Sequence, residues 1–90
     1  MNILFSSSVT KELKRIKLKD KKLIEIIKKQ LLVFTHNPKH PSLRIHKLSG
    51  KLGNAWSVSI TMKIRMIYQL ADESTAFFFD IGTHDEVYKK

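Results

Sequence analysis

The hydrophobic pattern of this 90-residue chain changes its period once, and that change limits the folds available to it. From Val9 to Asn37, apolar residues recur every three or four positions, as on one face of a helix. After Pro41 they alternate with polar residues, as on a strand with one buried face. Asn37-Pro38 and His40-Pro41 separate the two parts, because proline lacks an amide donor and restricts the residue before it. From Val9 onward, the order predicts helices followed by a meander of strands.

Two consecutive amphipathic helices are predicted in the first half. Val9, Leu13 and Ile16 have the spacing of one helix face, and Ser6 to Ser8 supply candidate N-caps. Asp20 is the candidate N-cap of the second helix. Its apolar positions are Leu23, Ile24, Ile27, Leu31 and Phe34. Lysines occupy the other faces, so a hairpin is expected in which each helix buries one stripe.

Short strands are predicted before and after this hairpin. The first is residues 2–6, and the later ones are residues 43–47, 56–61, 64–70 and 75–81. The last strand is apolar at nearly every position, which predicts a central strand covered on both faces. Gly50 and Gly53 mark a turn. A short polar tail, Thr83 to Lys90, is expected to close the chain.

Together these elements predict one α+β domain over residues 1–90. It has an N-terminal strand and a two-helix hairpin packed on one face of a three- to four-stranded, mainly antiparallel sheet, followed by a short C-terminal tail. The opposite face is expected to be partly open. It would carry Arg65 and the polar row Ser57, Ser59 and Thr61.

Charge indicates the kind of partner. Lys and Arg number 17 and Asp and Glu number 8, so the net charge is +9. Residues 1–45 hold 11 basic and 3 acidic side chains, which places most of the excess on the helices. Such a surface attracts nucleic acid or another polyanion. The chain has no cysteine, its longest apolar runs are four residues, and no secretory signal is recognised, so a cytoplasmic location is predicted.

Four short motifs follow one another in the second half. They are H-x-L-x-G from His46, W-S at Trp56, R-x-x-Y from Arg65 and I-G-x-H-x-x-x-Y from Ile81. In this order they resemble the RelE/ParE superfamily of type II toxin–antitoxin toxins, and the resemblance covers essentially the whole chain. The sequence G-T-H at Gly82 is most similar to the YafQ-type, RNA-cleaving branch.

The resemblance implies a growth-arresting toxin that acts as a ribosome-dependent endoribonuclease, cleaving mRNA by 2′-hydroxyl attack without a metal or other cofactor. Residue by residue, it assigns His46 and His84 to the histidines of the YafQ-type branch, Tyr88 to its aromatic position and Arg65 to the RelE-type arginine. RelE-type toxins carry two catalytic lysines on the strand that here contains serines. The YafQ-type branch has a histidine near Ser59 and an aspartate near Lys63, and this sequence lacks both.

The residue chemistry fits that reaction. Cleavage needs a base for the 2′-proton, an acid for the departing 5′-oxygen and a cation for the phosphorane. His46 and His84 supply imidazoles, which can act as acid or base, Arg65 offers a planar fork for phosphate, and Tyr88 can stack on a base or orient the phosphate. Structural alternatives remain: His46 as a turn residue, Tyr88 packing the tail, and Arg65 paired with an aspartate, either Asp80 or Asp85.

The RNA and ribosome contacts are predicted at basic residues on several elements, namely Lys47, Lys51, Lys63, Lys14 and Lys28. The histidines lack the spacing of a zinc site, so no metal is expected. The predicted partners are a cognate acidic antitoxin, mRNA and ribosomal RNA, without a membrane. The toxin alone is expected to be a monomer that forms a hetero-oligomer with its antitoxin. The alternatives are a non-catalytic, ParE-like gyrase inhibitor and a degenerate toxin that only binds its antitoxin.

Overall fold

A computed structural model describes residues 1–48 and 54–88, and the predicted turn at Gly50 and Gly53 lies outside them. The elements in chain order are β1 (Asn2–Phe5), α1 (Ser7–Lys19), α2 (Lys21–His36), a 3-10 turn (Pro41–Leu43), β2 (His46–Lys47), β3 (Trp56–Ser59), β4 (Ile64–Asp72), β5 (Thr75–Thr83) and α3 (His84–Tyr88). The predicted α+β class, with its N-terminal strand, helical hairpin and strand meander, is confirmed. In this part of the chain no helix is long and apolar enough to cross a membrane.

Short polar residues set the boundaries of the helical hairpin. The Ser6 hydroxyl accepts a hydrogen bond from the Val9 amide at 3.1 Å, which caps α1 as predicted. The Asp20 carboxylate accepts from the Leu23 amide at 3.0 Å and caps α2. The Asp20 amide also donates to the Ile16 carbonyl at 2.7 Å. One residue therefore ends α1 and begins α2, which turns the chain back sharply.

The sheet has five strands in the order β1-β5-β4-β3-β2. The meander from β2 to β5 is antiparallel, and β1 joins its edge parallel to β5. Because β5 has neighbours on both sides, the prediction that it is a central strand is confirmed. The pairing of β1 with β5 was not predicted, since it joins residues more than 70 positions apart.

The main core lies between the helices and the first face of the sheet. Phe34 of α2 meets Tyr68 and Phe78 with ring centroids 5.1 and 5.4 Å apart, in edge-to-face geometry. Phe34 and Phe78 are fully buried, with Ile27 and Met66 beside them. Burial also raises the pKa of the Tyr68 hydroxyl, because the phenolate would lose its hydration.

A smaller core lies on the second face of the sheet. Its buried residues are Leu48, Ala55, Ile67 and Val87, with Phe79 packed against them. Val87 belongs to α3, so the prediction of a polar tail from Thr83 was wrong. The tail folds because α3 has one apolar side chain to bury against the sheet. The prediction of an open face holds only in part, since Ser57 and Ser59 are 1% and 7% exposed.

Candidate active site

Two adjacent rows of paired residues cross the second face of the sheet. The first, called here the histidine row, is His46, Ser57, Ile67 and Asp80. The second, called the arginine row, is Ser59, Arg65 and Gly82. Residues two apart on a strand share a face, so the two rows lie side by side. The strand pairing thus brings His46 and Arg65 onto one surface from separate motifs.

Arg65 is anchored through one nitrogen of its guanidinium. Its Nη1 donates to the Ser59 hydroxyl at 2.7 Å and to the Thr61 carbonyl at 2.8 Å. These partners come from β3 and the loop that follows it. Both partners are neutral oxygens, a hydroxyl and a backbone carbonyl. These bonds therefore do not neutralise the positive charge of Arg65. The side chain is half-buried.

His84 opens α3 directly after β5. The Thr83 hydroxyl accepts from the Glu86 amide at 3.2 Å, and the Glu86 carboxylate accepts from the Thr83 amide at 2.7 Å. This reciprocal pair is a capping box, which fixes where the helix begins. The His84 imidazole is exposed, and its Nδ1 lies 3.7 Å from a carboxylate oxygen of Asp85. His84 is therefore held two residues beyond Gly82, the partner of Arg65.

The other predicted catalytic residues are placed as follows. His46 is exposed on the edge strand β2 and begins the histidine row. The backbone of Tyr88 ends α3, and its side chain lies outside the described residues. The elements that carry His46, Arg65 and His84 thus converge on the second face.

The predicted RNA-binding lysines do not form one patch. Lys63 is exposed in the loop between β3 and β4, two residues before Arg65. Lys47 lies on the first face instead, where its Nζ is 5.8 Å from the centroid of the Trp56 ring. Lys14 and Lys28 line a groove between α1 and α2. Lys51 lies outside the described residues.

In residues 1–48 and 54–88, no three histidine, aspartate or glutamate side chains are grouped as metal ligands would be. The second face carries two imidazoles, a residue type that can transfer protons, and a guanidinium that can hold a phosphate.

Comparison with known protein families identifies the family of the chain that carries this surface. A sequence profile described as a bacterial toxin of type II toxin–antitoxin system, YafQ, matches residues 1–89. The chain belongs to the YafQ family of type II toxins. The resemblance predicted from its motifs, including the YafQ-type branch, is confirmed. A search of curated protein sequences gives no match.

Solved structures share the fold of this YafQ-family toxin. YafQ from E. coli strain BL21(DE3) is 18% identical with a TM-score of 0.78, and 97% of each chain is covered. A YoeB/ParE toxin from Agrobacterium tumefaciens is 18% identical with a TM-score of 0.79, covering 93% of this chain and 99% of that one. A YoeB-YefM complex from Staphylococcus aureus contains a chain 22% identical, with a TM-score of 0.77 and coverage of 93% and 97%.

Two features of the site were not identified from the sequence. The capping box follows the pattern Thr83-x-x-Glu86, which is a recognisable helix-start signal within the segment predicted to be a polar tail. The anchoring of Arg65 by Ser59 had no sequence signal, because a serine on a strand face gives no hint of its cross-strand partner. The sequence predicts that Ser57 and Ser59 share a face of the sheet with Arg65, but it does not indicate which of them contacts it.

Proposed function

We propose that this toxin is an endoribonuclease that cleaves mRNA on the ribosome, without a metal, by attack of the RNA 2′-hydroxyl on the adjacent phosphate. The placement of His46 and Arg65 on the second face of the sheet, with His84 opening the helix that packs on that face, carries the proposal. One imidazole accepts the 2′-proton and the other protonates the departing 5′-oxygen. Arg65 stabilises the charge that develops on the phosphorane. Tyr88 stacks on a base or orients the phosphate.

Cleavage of mRNA on programmed ribosomes, followed by primer extension, tests this proposal. His84→Ala and Arg65→Ala should each lower cleavage by about 10²-fold or more, because the first removes a proton-transfer group and the second removes the charge that stabilises the phosphorane. Glu73→Gln, in the exposed turn at the other end of β4, is the control and should cleave normally. Activity should persist in EDTA at a magnesium level that keeps ribosomes intact. Full activity of both site variants would reject the site, and stalled supercoiling with intact mRNA would favour gyrase as target.

We also propose an acidic antitoxin segment as the storage partner. An open apolar groove of about 280 Å³ runs between α1 and α2, lined by Phe5, Leu13 and Ile24. Three exposed lysines border the same groove, namely Lys14, Lys17 and Lys28. A groove of this composition suits an amphipathic segment with an apolar stripe and acidic flanks. The YoeB-YefM structures from Staphylococcus aureus support the proposal, because there a toxin of this fold is in complex with an antitoxin.

Co-expression with the product of the adjacent open reading frame tests the antitoxin proposal. Wild-type toxin should co-purify with an acidic partner and lose its toxicity. The variant Lys14→Glu/Lys28→Glu should lose affinity strongly, because repulsion replaces attraction at both sides of the groove. Lys39→Glu/Lys47→Glu reverses the same number of exposed charges away from the groove and should retain the partner. Equal weakening by both reversals would indicate general charge attraction and reject the groove.

A further inference from the structure

The strand that carries lysines in RelE-type toxins carries two buried serines here. Ser57 and Ser59 are two residues apart on β3, so both lie on the second face of the sheet. Ser57 is 1% exposed and its hydroxyl has no hydrogen-bond partner in the described residues. Ser59 is 7% exposed and its hydroxyl is bonded on both sides. The two serines are therefore both buried, but only the hydroxyl of Ser59 has hydrogen-bond partners among the described residues.

The hydroxyl of Ser59 acts in one defined direction. It donates its hydrogen to the Thr61 carbonyl at 3.1 Å, which leaves its lone pairs to accept from Arg65 at 2.7 Å. The Thr61 carbonyl also accepts from Arg65 at 2.8 Å. The three groups form a closed ring of hydrogen bonds. Both hydrogens of Nη1 are used within this ring.

The ring is itself held by rigid parts of the fold. The Thr61 hydroxyl accepts from the amides of Lys63 and Ile64 at 3.1 and 3.0 Å, which closes the loop between β3 and β4. Gln30 of α2 donates to the Ser59 carbonyl at 3.0 Å. The anchor of Arg65 therefore extends from the loop to the helical hairpin.

We propose that Ser59 is a positioning residue, which fixes the Arg65 guanidinium so that its remaining edge binds the scissile phosphate. Because Nη1 is occupied, the free edge of the guanidinium consists of Nε–H and the two hydrogens of Nη2. No described residue offers a hydrogen-bond acceptor to this planar fork. Such a fork matches two oxygens of a phosphate. In RelE-type toxins a lysine on this strand supplies a positive charge directly. In this chain Ser59 instead orients an arginine of the next strand, which supplies the charge. This inference rests on the phosphate-binding role proposed above for Arg65.

Phosphate binding measured by NMR tests the positioning without any catalysis. The chain has three arginines, so the Nε–H signal of Arg65 can be assigned by its loss in Arg65→Lys. Titration of inorganic phosphate should shift that signal in the wild type. Ser59→Ala should weaken this affinity by about tenfold, since the fork is no longer fixed. Ser57→Ala, which removes a buried hydroxyl that has no partner among the described residues, should bind phosphate as the wild type does.

Cleavage kinetics on programmed ribosomes provide the second measurement. Ser59→Ala should lower kcat by about tenfold, Ser59→Thr should restore most of it by returning the hydroxyl, and Ser57→Ala should match the wild type. Ser59→Ala/Arg65→Ala should be no slower than Arg65→Ala alone, because Ser59 acts only through Arg65. Additive losses in the double variant, or unchanged phosphate affinity in Ser59→Ala, would overturn the positioning role. Weaker phosphate binding with no cleavage by any form would uphold it and reject the proposed nuclease.

Discussion

The two faces of the sheet are covered to different extents, and the difference separates stability from chemistry. The first face packs against two long helices, and its core includes three aromatic rings in mutual contact. Among the described residues, the second face has a cluster of three buried apolar residues that pack against Val87 of the five-residue helix α3. Beside that small cluster lie His46, Arg65 and the start of α3. A face that need not supply most of the core can hold polar groups at defined positions.

The largest expected effect is a truncation at the centre of the first face. Phe34→Ala removes a fully buried ring that touches Tyr68 and Phe78, and it should cost about 3–5 kcal/mol in the free energy of unfolding. That is a large share of the stability of a domain this size, about 5–13 kcal/mol. Val87→Ala on the second face should cost only about 1.6 kcal/mol, from two lost methyl groups. Urea unfolding of both variants compares the two faces directly. Equal losses in the free energy of unfolding would contradict the conclusion that the first face supplies most of the stability.

The next effect should appear in activity more than in stability. A Cβ on Gly82 would lie 3.1 Å from both Cβ and Oε1 of Glu86, so Gly82→Ala should displace the side chain that completes the capping box. Loss of the cap should cost about 1 kcal/mol and fray α3. We expect mRNA cleavage to fall by about tenfold, because His84 loses its fixed position.

Glu86→Gln provides the control for that change. Its amide oxygen can still accept from the Thr83 amide, so the capping box persists. Hydrogen exchange at the Val87 amide should be faster in Gly82→Ala than in Glu86→Gln. If Gly82→Ala leaves both exchange and cleavage unchanged, α3 does not hold the second face in its active arrangement.

The smallest effect concerns the turn that joins β4 and β5 and serves both faces equally. The Asp72 carboxylate accepts from the Ser74 amide at 2.8 Å, and this bond, with others from Ser74 and Thr75, lowers the pKa of Asp72. A carboxyl whose pKa is lower in the folded state stabilises the fold above its unfolded pKa. That stabilisation is lost as the pH falls through the folded value.

Asp72→Asn should therefore have a slightly lower melting temperature than wild type near pH 6. The gap should close as the pH falls below about 4, where the unfolded carboxyl protonates. Thermal unfolding from pH 2 to 7 measures this. A gap that is constant over the whole range would show that the carboxylate charge contributes nothing to the turn. Cleavage at neutral pH should not change.

The helices, their caps and the strand meander were predictable because each depends on neighbouring residues. Ser6 and Asp20 act within three residues of themselves, and the alternation of apolar positions fixes which side of β3 and β4 faces the helices. The catalytic candidates were found by resemblance, since their motifs are continuous in the sequence. The helix at the end of the chain was missed although Thr83 and Glu86 signalled it, because its single buried apolar residue gives no periodicity.

By itself the sequence determined the order of elements up to β5, the covered face, the positive charge and the toxin family. Only the tertiary structure decided that β1 pairs with β5, that α3 covers the second face and that Ser59 bonds Arg65 while the Ser57 hydroxyl has no partner among the described residues. The physical reason is the range of the interactions. Caps and periodicity act over a few residues, whereas cross-strand contacts depend on register, which is fixed only when the whole sheet and both of its cores assemble.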